Sequence, residues 1–230
     1  MTAFDIGILA GSGPEAGIDL WQAVLDERRR RRGEAFRGDL DAPSVMVRSV
    51  PELGLSMDLA RHGERVAAVV LEHAAPLDGA CAAWTIACNT INRYADRIHA
   101  AGLGGGFVSF PDAVERWLDA RPPTTVGLLG AHPVTELGPD SAYAHLADRL
   151  RVPDPERRAR LHALIEDVKR LGPADPDVRT RFASLCGEID ADRLLMACTE
   201  LPLVADADDR LVDVTRLVAA ALLDAIEASP

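Results

Sequence analysis

The chain has 230 residues, 48% hydrophobic and 27% charged, which are globular values that exclude disorder, collagen and coiled coil as descriptions of the whole. Its length fits one large domain or two small ones. A formal net charge of −11 repels phosphate backbones and anionic lipid, so neither nucleic acid nor a membrane is the expected partner, although a local pocket can still hold a small anion.

Residues 4–10 form a short apolar run that predicts a buried strand. It enters Gly11-Ser12-Gly13-Pro14-Glu15 and then an apolar periodic stretch over 16–25. Pro14 suits the first helical position, and Ser12 with Glu15 has capping-box spacing, so the segment reads strand, tight loop, helix. A second strand is expected over 43–50. A helix follows over 62–75, with Val66, Val69, Val70 and His73 at helical spacing, and then a third strand over 80–87 that ends at Cys88. Residues 92–101 continue as a helix.

The second half repeats the plan. A short strand is expected over 107–110, a helix over 111–120, an apolar strand over 125–130 and a helix around 141–150. Strong helical patterns cover 156–170 and 178–186. A strand over 193–197 ends at Cys198, a last strand covers 211–214, and a helix over 215–227 closes the chain. Strands alternating with helices predict an α/β fold with parallel sheets. With aromatics at only 4%, the core is left to Ala, Val, Leu and Ile.

Residues 1–11 carry no basic, apolar leader pattern, and no apolar stretch reaches the roughly 18 residues of a membrane span. The four cysteines, Cys81, Cys88, Cys186 and Cys198, form no CxxC pair, so they are expected to be free thiols in a cytoplasmic protein.

An internal echo organises the sequence. Gly7-Ile8-Leu9 opens the first half and Gly127-Leu128-Leu129 the second. Ala87-Cys88-Asn89-Thr90 places its cysteine 81 residues after Gly7, and Ala197-Cys198-Thr199-Glu200 places its own 71 residues after Gly127. Each cysteine is followed by Ala-Asp at the same offset, at Ala95-Asp96 and Ala205-Asp206. Two half-chains thus carry one α/β plan, each with a cysteine just beyond the carboxyl end of a strand. Ligands of such sheets bind at those ends. Backbone N–H groups and a helix start there would lower a thiol pKa. Two opposed thiols are what a two-base stereoinversion needs, one taking a proton from an sp³ carbon and the other returning one to the opposite face. Most free cysteines are only small buried apolar residues, and Cys81 and Cys186, which lack the motif context, are read that way.

The stretch Gly7 to Ala16, together with Ala87-Cys88-Asn89-Thr90 and Ala197-Cys198-Thr199-Glu200-Leu201-Pro202-Leu203, resembles the three motifs of the aspartate/glutamate racemase superfamily, nearest its aspartate racemase branch. The resemblance spans most of the chain. It implies two similar, pseudo-symmetric α/β domains, each a mainly parallel sheet flanked by helices, with the active site in the cleft between them. Residues 1–105 plus 214–230 would make the N-terminal domain and 106–213 the C-terminal one. It further implies racemisation without a cofactor, with Cys88 and Cys198 as the two bases. Asn89, Thr90 and Thr199 would hold the substrate α-carboxylate, and Ser12 of the first motif would join the binding residues. The implied partner is a small molecule, an amino acid. Homodimers are common in such enzymes, although nothing in the chain marks an interface.

The chain departs from that pattern in places. The opener of such racemases usually reads Gly-Gly-Met-Gly-Pro, where this chain has Ala10 to Pro14. The first cysteine motif often ends in a histidine two residues after the threonine, where this chain has Asn92. The arginine that some aspartate racemases carry after the second strand has no clear match in residues 51–57, and Arg48 is the nearest candidate. Lys169 is the only lysine beside 24 arginines. Some relatives place a substrate-contacting lysine at the end of this helix, although Arg170 could align there instead and a solvated helix-end cation is the plainer reading.

Other signals point less far. Gly11-Ser12-Gly13-Pro14-Glu15-Ala16-Gly17 is one residue off the dinucleotide fingerprint, and Glu15 would face a pyrophosphate. Arg28 to Arg32 reads as a solvated helix end rather than a nucleic-acid patch. The six histidines show no zinc-ligand spacing. The expectation is therefore a racemase acting on aspartate or glutamate. The alternatives are another enolate reaction in the same cleft (hydantoin racemisation, maleate-type isomerisation or decarboxylation) and a non-catalytic ligand-binding protein on this fold.

Overall fold

The computed structural model describes residues 2–122 and 124–228. Two three-stranded parallel sheets form the frame. In the first, β1 (Phe4–Ala10) lies between β2 (Val45–Ser49) and β3 (Cys81–Ile86). In the second, β4 (Val126–Leu129) pairs with β5 (Arg193–Met196), which pairs with β6 (Leu211–Asp213). Each sheet is extended by one parallel bridge, Phe107 beside Trp84 of β3 and Arg151 beside Gly127 of β4. With these counted, β2, β1, β3 and Phe107 correspond in order to Arg151, β4, β5 and β6. The echo in the sequence is therefore a structural one: β1 matches β4, β3 matches β5, and each cysteine lies just past the second strand of its pair.

The helices form three layers around the two sheets. Between the sheets lie α1 (Pro14–Arg32), α4 (Phe110–Asp119) and α9 (Val214–Ala228). Their apolar faces meet Ile6 and Ile8 of β1, Leu128 of β4 and Leu195 of β5 in one continuous core, so the halves share their largest apolar cluster. On the outer face of the first sheet, α2 (Leu59–Ala80) and α3 (Ala95–Ala100) cover Leu9, Trp84 and Ile86. On the outer face of the second, α6 (Pro155–Leu171), α7 (Pro176–Gly187) and α8 (Leu201–Val204) cover Leu129, Leu194 and Met196. The short α5 (His132–Thr135) follows β4. Among the described residues, no helix is long and apolar enough to cross a membrane.

Most of the expected elements form, and the differences have physical causes. Residues 107–110 make only the bridge at Phe107, because Ser109 caps α4 through its hydroxyl on the Asp112 N–H and the chain turns helical at Phe110. Residues 141–150 form only a 3₁₀ turn, Ala144–Arg149, before Arg151 joins the sheet. Pro76 lacks an N–H and would be expected to end α2, yet that helix runs on to Ala80, where the Cys81 N–H closes it on the Leu77 carbonyl. The arginine run at the end of α1 is an ion-pair belt. Arg28 and Arg31 reach Glu227 of α9, and Arg32 reaches the buried Asp41.

The loop after β1 depends on its glycines. Gly11 has φ +128°, and a Cβ there would lie 2.0 Å from the carbonyl oxygen of Val50, at the end of β2. No side chain fits both that conformation and that contact. Gly11→Ala is therefore expected to destabilise the fold by about 2 kcal/mol or more, read as a lower denaturant midpoint at unchanged slope.

Candidate active site

The carboxyl ends of β1, β3, β4 and β5 converge on one small cavity. It is lined by Ser12, Ser56, Met57, Cys88, Asn89, Thr90, Ala131, Lys169, Ala197, Cys198, Thr199 and Glu200. The sequence-derived residues Cys88, Cys198, Ser12, Asn89, Thr90, Lys169 and Thr199 are all among them. The enclosed space is only about 10 Å³, room for roughly one water. Met57 also lines a larger cleft of about 730 Å³ between α2 and α5, together with His132 and Arg61.

Lys169 reaches the cavity because of how α6 is placed. Leu161, Leu164, Ile165 and Val168 bury one face of that helix, and Asp154 caps its start through the Arg157 N–H at 2.9 Å. Lys169 sits at the edge of the buried face in the last turn. Its ammonium is ion-paired with Glu200 and donates to the Ser12 carbonyl at 3.4 Å. The neighbouring Arg170 instead pairs with Asp167 at the surface, so the lysine is the cation of this helix end that enters the cavity. Gly13, with φ +89°, lets the loop after β1 press against the ion pair. A Cβ there would stand 2.1 Å from Glu200 Oε1.

Arg48 lies elsewhere. It sits on β2, donates to His73 of α2 at 2.9 Å, and is not among the cavity residues, which corrects the expectation that it meets substrate there. Its direction follows from the pleat: Arg48 pairs in register with Leu9, whose side chain packs into the outer cluster under α2. Ser12 does not cap α1 either. The N-cap is Gly13, without a side-chain bond, and the Ser12 hydroxyl is 2.9 Å from that of Ser56 in the cavity wall.

Glu200 is the functional candidate that the sequence reading left out. It is 4% exposed, ion-paired with Lys169, and accepts the Cys198 thiol at 3.0 Å and the Thr199 hydroxyl at 3.3 Å. The available signal was a carboxylate within the second cysteine motif, two residues after Cys198 and ahead of the apolar run from Leu201. Ser56 and Met57 gave no such signal. Asn92, which stands where a histidine is usual, has a structural job. Its Nδ2 donates to the carbonyls of Cys88 at 2.8 Å and Ile86 at 3.2 Å, and its Oδ1 accepts the Phe110 N–H at 3.0 Å. It thereby pins the segment that carries Cys88 to the first turn of α4.

The sequence predicted thiols acidified by helix starts, and the structure reverses this. Burial pushes the Cys88 thiol above the ordinary 9.0, and the Lys169 ammonium, the Ile91 N–H and the Ser12 hydroxyl only partly offset it. Burial and the Glu200 carboxylate push Cys198 well above that value, against the pull of Lys169. Burial would lower the Lys169 ammonium, but Glu200 and the two cysteines outweigh it and the net shift is upward from 10.5. The cavity thus rests with two neutral thiols around one neutralised ion pair. Among the described residues, no group of three or more His, Cys, Asp or Glu side chains is arranged to hold a metal ion.

The family model for Asp/Glu/hydantoin racemases matches residues 10–227. Among curated proteins nothing matches the chain significantly. Among solved structures, a candidate Asp/Glu racemase from Yersinia pestis superposes with TM-score 0.75 at 22% identity, covering 99% of this chain and 100% of that one. The aspartate racemase of Picrophilus torridus gives TM-score 0.76 at 19% identity, covering 97% and 94%. A glutamate racemase from Thermus thermophilus gives 0.60 at 19%, covering 98% and 81%. These likenesses bear on the fold, which is the one expected from the sequence.

Two measurements check the site as described. Iodoacetamide is expected to modify Cys88 and Cys198 slowly near neutral pH, with rates that climb as pH passes above the ordinary thiol value. Fast modification near neutral pH would contradict the raised thiols. Asn92→Ala takes the side-chain partner from the Cys88 carbonyl and the Phe110 N–H, while the Ile86 carbonyl keeps the Cys88 N–H at 2.7 Å, and is expected to cost about 1–3 kcal/mol in stability, read by denaturant unfolding.

Proposed function

The chain belongs to the Asp/Glu/hydantoin racemase family of isomerases, and on that premise we propose that it is a cofactor-independent amino acid racemase working through Cys88 and Cys198. The supporting observation is that the two cysteines follow equivalent strands of the two halves and line one cavity. The thiolate of one cysteine takes the Cα proton. The electron pair left behind spreads into the α-carboxylate, and the thiol of the other cysteine returns a proton to the opposite face. Turnover leaves thiol and thiolate exchanged, so each direction uses the pair in opposite roles.

Such a proton leaves only if the developing negative charge is met by donors already in place. Asn89, Thr90 and Thr199 are suited to the α-carboxylate. Lys169 is suited to stabilise a thiolate on either sulfur, while Glu200, which accepts the Cys198 thiol, favours the protonated form of that sulfur. The cavity is far smaller than an amino acid, so its walls must move for one to enter, and Met57 lines both it and the larger cleft.

The family points to aspartate or glutamate, with Lys169 as the group that meets the second carboxylate. One observation favours a neutral side chain instead: Glu200 already neutralises Lys169, and Arg48 is outside the cavity. An acidic side chain would have to displace Glu200 and leave it unpaired, which is costly for a buried charge.

Proton NMR of amino acids incubated with the protein in D₂O tests both levels. Exchange at Cα with loss of optical purity is expected. Cys88→Ala and Cys198→Ala should each abolish racemisation while leaving exchange from one enantiomer, and Cys81→Ala and Cys186→Ala should keep turnover. Racemisation at the wild-type rate in both cavity variants would remove the two-thiol assignment. In the substrate panel, aspartate or glutamate exchanging fastest supports the acidic reading, and faster exchange of neutral amino acids supports the second one.

A further inference from the structure

An asparagine amide looks nearly the same either way round, so its direction is set by its partners. Asn89 is 2% exposed and its side-chain oxygen accepts the hydroxyl of Tyr143, which is 0% exposed. Among the described residues this is the only hydrogen bond of the phenol. The phenol proton has no other acceptor, so a reversed amide would strand it in the core, and a buried hydroxyl without a partner is costly. Asn89 Nδ2 is consequently left over, a buried donor with no partner in a wall of the cavity. Nearly all buried polar groups are paired, and an exception calls for a ligand or a reason.

We propose that Tyr143 is a positioning residue: its phenol locks the Asn89 amide with Nδ2 presented to the cavity as a ready-made donor for a ligand carboxylate. A carboxylate is an acceptor-only group and completes what Nδ2 lacks. The proposal rests on the racemase reading of the cavity for the identity of that ligand, the substrate α-carboxylate, but the geometry of the amide does not depend on it.

Tyr143 is itself held firmly. Its N–H donates to Ser141 Oγ at 3.2 Å, and that hydroxyl donates to the Val134 carbonyl at 2.9 Å, tying the residue to α5. Its ring packs in the core shared by both sheets. Asn89 follows β3 of the first sheet, whereas Tyr143 follows β4 of the second, so the hydrogen bond joins the halves across the site. Burial, with Cys88 nearby, holds the phenol well above its ordinary pKa, which keeps it protonated and able to donate.

The experiment uses Tyr143→Phe, which keeps the ring and removes one oxygen, and reads it twice. In the Cα exchange assay, kcat/KM is expected to fall about tenfold or more, as for loss of a hydrogen bond to a charged group, mainly through KM. In an Asn89→Ala background the same substitution should change little. Additive losses in that cycle would mean that Tyr143 acts independently of Asn89, and would overturn the proposal while leaving the racemase reading intact. The second reading needs no turnover. The side-chain NH₂ resonances of Asn89, assigned with Asn89→Ala, are followed in ¹⁵N–¹H spectra during an acetate titration. A shift in wild type that is lost or blunted in Tyr143→Phe supports the proposal even if no amino acid exchanges. No shift in wild type, or equal shifts in both proteins, overturns it.

Discussion

Glu200 carries a buried carboxylate, and a buried carboxylate must be paired and hydrogen-bonded to persist. Here the partners come from three places in the chain. The ammonium is that of Lys169 at the end of α6, the thiol is that of Cys198 after β5, and Gly13 after β1 leaves room for the carboxylate and the ammonium. Both charges belong to the second half, and the link to the first half is the hydrogen bond from the Lys169 ammonium to the Ser12 carbonyl at 3.4 Å. The ion pair also sets the electrostatics there. The same carboxylate that raises Cys198 anchors the ammonium that favours ionisation of Cys88. Removing one partner would leave the other buried and unpaired, which is why this contact constrains more of the site than any single thiol does.

The frame around it is nearly symmetric, and the site is not. Strand for strand the halves correspond, and each delivers one cysteine to the same cavity. Each sulfur has a backbone N–H beside it, yet Cys88 adds the Ser12 hydroxyl and Cys198 the Glu200 carboxylate. The neighbouring contacts differ in the same way. Asn92 braces the first cysteine segment through three backbone bonds, and the second is braced by the ion pair. Under the two-thiol reading, the halves supply equivalent positions on either side of a carbon, and local chemistry decides how readily each sulfur ionises.

Most of the frame was legible in the sequence, for reasons that particular residues show. Strands that end at Cys88 and Cys198 are short apolar runs with clear stops, and the glycine loop follows from its own composition. What failed was chemistry with two uses. Ser12 and Glu15 have capping-box spacing, yet the Ser12 hydroxyl is used in the cavity and Gly13 is the cap. Arg48 lies on β2 itself, on the face that α2 covers. The helix-start argument lowers a thiol pKa only where solvent or charge does not oppose it, and burial opposes it here. Tyr143 and Glu200 could not be placed from spacing, because their roles depend on contacts far apart in the chain, 54 residues for Tyr143 and Asn89, which lie in different halves, and 31 for Lys169 and Glu200.

The charge balance of the cavity bears on what it can accept. In the resting structure the ionised groups lining the cavity are Lys169 and Glu200, which cancel, and the thiols are neutral. A zwitterionic amino acid adds no net charge to that balance. One carboxylate more adds a negative charge that only Lys169 could meet, at the expense of Glu200. Ionising one thiol has the same cost, and under the two-thiol reading the enzyme must bear that cost in every turnover, whatever the side chain. A cavity that can hold one extra negative charge during proton transfer is poorly placed to hold two.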